Sequence, residues 1–150
     1  MVECPSYYVA LHRRLVEAVE KATGEKPREV LSCTEEMVVR SAMDVPGGTL
    51  GLRTDIDILQ IEGEIRVSRE DRGAVKDEVS RLEVPHPLRP GEKLRPCKVV
   101  DEHVHDGVWH EHVVCSLMPY REYEEVLDDV VAKLADIIKR RGVPEYMPRW

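Results

Sequence analysis

The sequence predicts a single α+β domain over residues 1–150. The expected architecture has two layers, a mostly antiparallel sheet of five or six strands covered by two long helices and one shorter helix. Three observations predict it. Apolar residues recur at helical spacing near both ends of the chain, over 8–22 and 123–138. Between them, apolar and polar residues alternate over 50–58, the period of a half-buried strand, and strand-like runs flank an Asp-Gly pair over 97–118. These runs are punctuated by turn-type dipeptides, which join neighbouring strands as hairpins.

The elements follow in order. Residues 6–23 form a helix with Tyr8, Leu11, Leu15, Ala18, Val19 and Ala22 on one side, Gly24 as its stop and Pro27 beyond. Residues 28–43 begin as a strand over 29–33. Thr34-Glu35-Glu36 then either caps a short helix or leads into a second strand through Met37, Val38 and Val39, with the adjacent valines favouring the strand. Pro46-Gly47-Gly48 is a turn. Leu50, Leu52, Ile56 and Ile58 alternate with Gly51, Arg53, Asp55 and Asp57 in the next strand. Glu62-Gly63 reads as a two-residue hairpin turn, setting Gln60 against Ile65 and Ile58 against Val67.

Residues 68–82 form the shorter helix, opened by a Ser68/Asp71 capping box and striped by Val75, Val79 and Leu82. Pro85, Pro87, Pro90 and Pro96 make 83–96 irregular, since proline fixes φ and removes an N–H donor. Residues 97–118 form a hairpin turning at Asp106-Gly107. The last helix covers 120–141, with Tyr123, Val126, Leu127, Val130, Val131, Leu134, Ile137 and Ile138 on its apolar side. Acidic residues load its start and Lys139-Arg140-Arg141 its end, matching the helix dipole, and Gly142 and Pro144 end it.

Composition excludes several functions. A chain of 150 residues is long enough to bury a core, and a net charge of −7 is opposite in sign to the basic footprint of a nucleic-acid-binding module. No apolar run reaches membrane-spanning length. The chain has no Asn, one Gln (Gln60) and ten Pro, the pattern of a thermophile's protein. The start of the chain has no signal-peptide pattern, so a cytoplasmic location is expected. Cys4, Cys33, Cys97 and Cys115 form no C-x-x-C pair. In that compartment they are expected as reduced, buried thiols, with a disulfide open to a hyperthermophile.

The most pointed chemistry lies in Asp101-Glu102-His103-Val104-His105-Asp106-Gly107-Val108-Trp109-His110-Glu111-His112. A two-residue turn sets His105 against Val108, His103 against His110, Asp101 against His112 and Val99 against Val114. Strand side chains alternate faces, so Asp101, His103, His105, His110 and His112 share one face. Opposed imidazoles on neighbouring strands lie close enough to reach one ion. The expectation is a site for a divalent transition metal, zinc or similar, with His103, His110 and His112 as ligands, Asp101 as fourth ligand or orienter and His105 as the spare. The opposite face sets Glu102 against Glu111. That pair needs solvent, a proton or a cation between its carboxylates.

A second motif is Thr54-Asp55-Ile56-Asp57-Ile58, preceded by Gly47-Gly48. Two carboxylates on one strand face can hold magnesium and, through it, nucleotide phosphates. Over about a dozen residues this resembles the Gly-rich turn and Asp-x-Asp strand of the nucleotidyltransferase superfamily. The resemblance implies a magnesium-dependent enzyme using Asp55 and Asp57, with Asp101 available as a third carboxylate. The bland reading of Arg53, Asp55 and Asp57 is the wet face of a strand.

Among the remaining candidates, His12 reads as a helix residue beside the apolar stripe and His86 as a loop residue that a closing loop could deliver to a site. Cys97 falls on the histidine face, across from Ser116, and Trp109 faces away from the histidines. Tyr146, Met147 and Trp150 make an apolar tail suited to docking on the domain or on a neighbouring subunit. The functional expectation is a small metal-binding protein, with a metal-dependent enzyme acting on a small molecule as its sharper form. A non-catalytic homo-oligomeric accessory protein is the alternative, and neither nucleic acid nor membrane is an expected partner.

Overall fold

The structure is a computed structural model that describes residues 6–24, 29–31, 39–45, 47–55, 58–105, 107–117 and 124–143. It opens with helix α1 (Ser6–Thr23). Strands β1 (Glu29–Leu31), β2 (Val39–Val45), β3 (Gly48–Asp55) and β4 (Ile58–Val67) follow. Next come α2 (Arg72–Arg81), the short pair β5 (Val84–Pro85) and β6 (Lys93–Leu94), the hairpin β7 (Cys97–His105) and β8 (Val108–Leu117), and α3 (Leu127–Arg141). Six strands form one antiparallel sheet in the order β1-β2-β3-β4-β8-β7. The predicted α+β class and strand number hold. The valine-rich ambiguity resolves in favour of strand at Val39, while 32–38 lie outside the described residues.

The core lies between one face of the sheet and the helices. Leu50, Ile61, Ile65, Val67, Val113, Cys115 and Leu117 point inward from β3, β4 and β8. Ala18, Val19, Val75, Val79, Val130, Val131, Leu134 and Ile138 meet them from the three helices. Each fully buried aliphatic side chain contributes about 1.5–3 kcal/mol. His12 is buried in this layer at 2% exposure, its Nδ1 2.9 Å from Thr54 Oγ1 on β3. Burial pushes its pKa down to about 4, so the ring is neutral and structural.

One hairpin is misplaced by the sequence reading. Glu62 and Gly63 do not turn; they run in the middle of β4, which pairs with β3 from Asp55↔Ile58 to Gly48↔Ile65. Ile58 pairs with Asp55 and so belongs to β4 rather than continuing β3, while residues 56–57 lie outside the described residues. The reason is pairing: Glu62 and Gly63 lie opposite Gly51 and Leu50 of β3 on one side and Val114 and Val113 of β8 on the other, so a turn there would break two ladders. A Cβ on Gly63 would make only ordinary van der Waals contact with Ile138 Cδ1 (3.5 Å) and Leu134 Cδ2 (3.8 Å).

Three smaller corrections follow. The proline-rich 83–96 is not wholly irregular: Val84 pairs with Leu94 and Pro85 with Lys93. An edge ribbon tolerates a proline that needs no ladder donor. The shorter helix starts as a 3-10 turn over Arg69–Asp71, and the Ser68 hydroxyl donates to the Asp71 carboxylate (3.2 Å) rather than accepting a backbone N–H. The last α-helix starts at Leu127, after a 3-10 turn over Glu124–Val126.

Candidate metal centre

At the histidine end of the sheet β4, β8 and β7 lie side by side, and among the described residues the helices pack on the opposite face. The hairpin reverses beside Gly107, while Asp106 lies outside the described residues. Gly107 takes φ +78°, the left-handed conformation that a tight two-residue turn requires. The register is the one the turn predicts: His105↔Val108, Val104↔Trp109, His103↔His110, Glu102↔Glu111 and Asp101↔His112. The next pairs differ. A bulge at Val100 shifts the ladder, so Val99 opposes Val113 rather than Val114 and Cys97 opposes Cys115 rather than Ser116.

The bulge has a chemical result. It carries Cys97 off the histidine face into the core, at 5% exposure, where it forms a disulfide with Cys115 across a Cα–Cα distance of 4.0 Å. The expectation of reduced thiols fails for this pair, because one inserted residue aligns two cysteines that an unbroken ladder would set on opposite faces. Cys4 and Cys33 lie outside the described residues.

β8 also pairs with β4, placing Glu64 opposite His112 and Arg66 opposite His110. Glu64 thereby joins the histidine face. Its Oε1 lies 2.6 Å from His110 Nδ1 and 3.9 Å from His103 Nε2. The His103 and His110 rings stack with centroids 5.1 Å apart and planes 7° from parallel. One donor atom from each of Glu64, His103 and His110 lies within 4.8 Å of the other two. Two ligands on a tetrahedral ion with bonds of about 2.0–2.1 Å lie roughly 3.3 Å apart, which the measured pair distances bracket.

The Glu64–His110 contact is close but not aligned as a hydrogen bond. His110 Nδ1 is buried and has no hydrogen-bond partner among the described residues. A buried ring nitrogen beside a carboxylate oxygen, without hydrogen-bond geometry between them, suits two donors meeting at a common ion. Two imidazoles and one carboxylate fit zinc, iron, nickel, cobalt or manganese.

The other predicted ligands divide. Asp101 Oδ2 stands 3.7 Å from His103 Nδ1, on the ring edge away from Glu64. The His105 ring meets His110 edge-on at 6.1 Å. His112 lies in register between Asp101 and Glu64, yet it is not among the converging donors. Glu64 is the residue the sequence reading missed. The alternation Ile61-Glu62-Gly63-Glu64-Ile65-Arg66-Val67 puts it on the polar face once β4 is read as continuous.

Directly behind the histidines, Glu102 and Glu111 oppose each other on the inner face. Burial, then the negative charge of Glu102, pushes Glu111 up to about 7. Arg72 of α2 binds Glu102 at 2.9 Å and holds it below the usual carboxylate range. The same guanidinium lies 3.9 Å from the Trp109 ring centre. The predicted like-charge pair is therefore eased by a raised affinity of Glu111 for a proton and by the Arg72 cation on Glu102.

Among the described residues, the Asp-x-Asp motif adds no donor to this group. Asp55 ends β3, Asp57 lies outside the described residues, and Asp101 is on the edge strand beyond β4 and β8. Gly47 and Gly48 are buried against Gly142 and the Glu64–Ile65 backbone. His86 accepts the Leu88 N–H at 3.1 Å within its own loop.

Comparison with protein-family models, with curated proteins and with solved structures gives no match to this chain. Among the described residues, no helix is long and apolar enough to cross a membrane.

Proposed function

We propose that this protein binds one divalent transition-metal ion through Glu64, His103 and His110. The convergence of these three donors, with His110 Nδ1 buried beside Glu64, carries the reading. Three protein ligands leave a coordination position open, and an ion there would supply Lewis acidity toward a water or a carbonyl. His103 and Glu64 are 46% and 42% exposed, so a small molecule can approach from the open sheet face. On this basis we read the protein as a small metal-dependent enzyme. We read the source as a thermophile from the composition and keep a cytoplasmic location, where the Cys97–Cys115 disulfide would be of the kind hyperthermophiles retain.

Metal analysis of protein purified without an affinity tag tests the assignment. Wild type should carry about one ion per chain, as one three-ligand centre requires. Glu64→Ala, His103→Ala and His110→Ala should each lose it with unchanged circular dichroism. His112→Ala should keep it. Equal, substoichiometric metal in all five proteins would overturn the proposal.

A second reading, a homo-oligomeric accessory protein, rests on the outer edge of β7. Val100 and Val104 on that edge strand are 45% and 51% exposed.

A further inference from the structure

We infer that Asp101 is a positioning residue for the metal ligand His103. The inference rests on the metal reading above and adds a role for a group outside the three ligands. His103 stands between two carboxylates on opposite ring edges. Nε2 faces Glu64 Oε1 at 3.9 Å and Nδ1 faces Asp101 Oδ2 at 3.7 Å.

The arrangement follows from strand geometry. Asp101 and His103 are two residues apart on β7, so both side chains stand on the same face, and the bulge at Val100 ends just before Asp101. Glu64 reaches His103 from β4 across the intervening β8. An imidazole can give only one nitrogen to an ion, and the other then carries a proton. With Nε2 on the side of Glu64 and His110, that proton sits on Nδ1 and points toward Asp101.

A carboxylate in this place fixes the tautomer, aligns the ring and raises the basicity of the ligating nitrogen. Closing 3.7 Å to a charge-assisted hydrogen bond takes a movement of about 0.9 Å, within reach of side-chain rotation as the centre tightens around an ion. Asp101 is 65% exposed, so it remains available without the cost of burying its charge. His110 needs no such helper: its side chain is only 13% exposed and is held between Glu64 and the stacked His103 ring.

Cobalt(II) is the probe, titrated into full-length wild type, Asp101→Ala, Asp101→Asn and His103→Ala. Asp101→Ala should keep the wild-type stoichiometry and visible spectrum but bind cobalt about 10–100-fold more weakly. Asp101→Asn, whose amide oxygen still accepts a hydrogen bond, should recover part of the loss. The paramagnetically shifted N–H proton of His103 should exchange with solvent faster in Asp101→Ala than in wild type, a change that a merely structural role would not produce. Cobalt affinity in Asp101→Ala within twofold of wild type would overturn the inference while leaving the metal reading intact. Loss of the ion as complete as in His103→Ala, with an altered visible spectrum, would overturn it by making Asp101 a ligand. Failure of wild type to bind cobalt would bring down both the inference and the metal reading.

Discussion

Glu111 and His12 are both fully buried ionisable side chains, and they respond to pH in opposite senses. Glu111 is raised from 4.5 to about 7, so the folded state holds its proton more tightly than the unfolded chain. Its contribution is complete below pH 4.5 and is lost as pH rises through 7. His12 is lowered from 6.5 to about 4, so its contribution is present above pH 6.5 and is lost as pH falls through 4. Each spans about 3 kcal/mol, and over the shared interval the two slopes offset one another. Glu111→Gln should therefore make metal-free protein gain stability as pH rises from 4 to 6.5, the His12 window. His12→Gln should make it lose stability as pH rises from 4.5 to 7, the Glu111 window. Melting temperatures across that range test this, and variant curves parallel to wild type would count against it.

At the scale of the element, the hairpin of β7 and β8 serves two chemistries with one strand. Val99 and Cys97 face the core, while Asp101, His103 and His105 face outward. Residues 97, 99, 101, 103 and 105 share one parity, so an unbroken strand would point them all the same way. The extra residue at Val100 changes the parity. Deleting Val100 removes that residue and would close the gap between Val99 and Asp101. The shortened strand can keep the Cys97↔Cys115 and His103↔His110 pairs in one continuous ladder, now that no residue is left over. We predict that the deletion variant keeps its disulfide and its metal stoichiometry, measured by thiol titration and elemental analysis. Free thiols or lost metal would mean that the bulge itself orients the site. The register near the turn was legible from Asp106-Gly107, a local signal. The bulge was not, because it follows from the match of Cys97 and Val99 to the core rather than from turn chemistry.

At the scale of the whole molecule, the three helices among the described residues pack on one sheet face, and β7 lies at an outer edge with apolar Val100 and Val104 exposed. If this edge joins copies of the chain, Val104→Lys should lower the mass seen by light scattering to that of a monomer, since a charge on an edge opposes pairing. A monomeric wild type, or an unchanged larger mass in the variant, would remove the oligomeric reading. The bulge and the charged Glu102 and Asp101 work against edge pairing, so the metal reading stands ahead of it.

The sequence alone determined the α+β class, the helical stripes and the register that sets His103 against His110. Each follows from periodicity or turn chemistry within a few residues. Only the tertiary structure decided that Glu62-Gly63 runs straight, that Cys97 meets Cys115 and that Glu64 completes the donor set. Those outcomes depend on which strands lie beside one another in the sheet, β4 against both β3 and β8 and β8 against β7. Such contacts join residues dozens of positions apart, and their energy comes from burial, which no local pattern records.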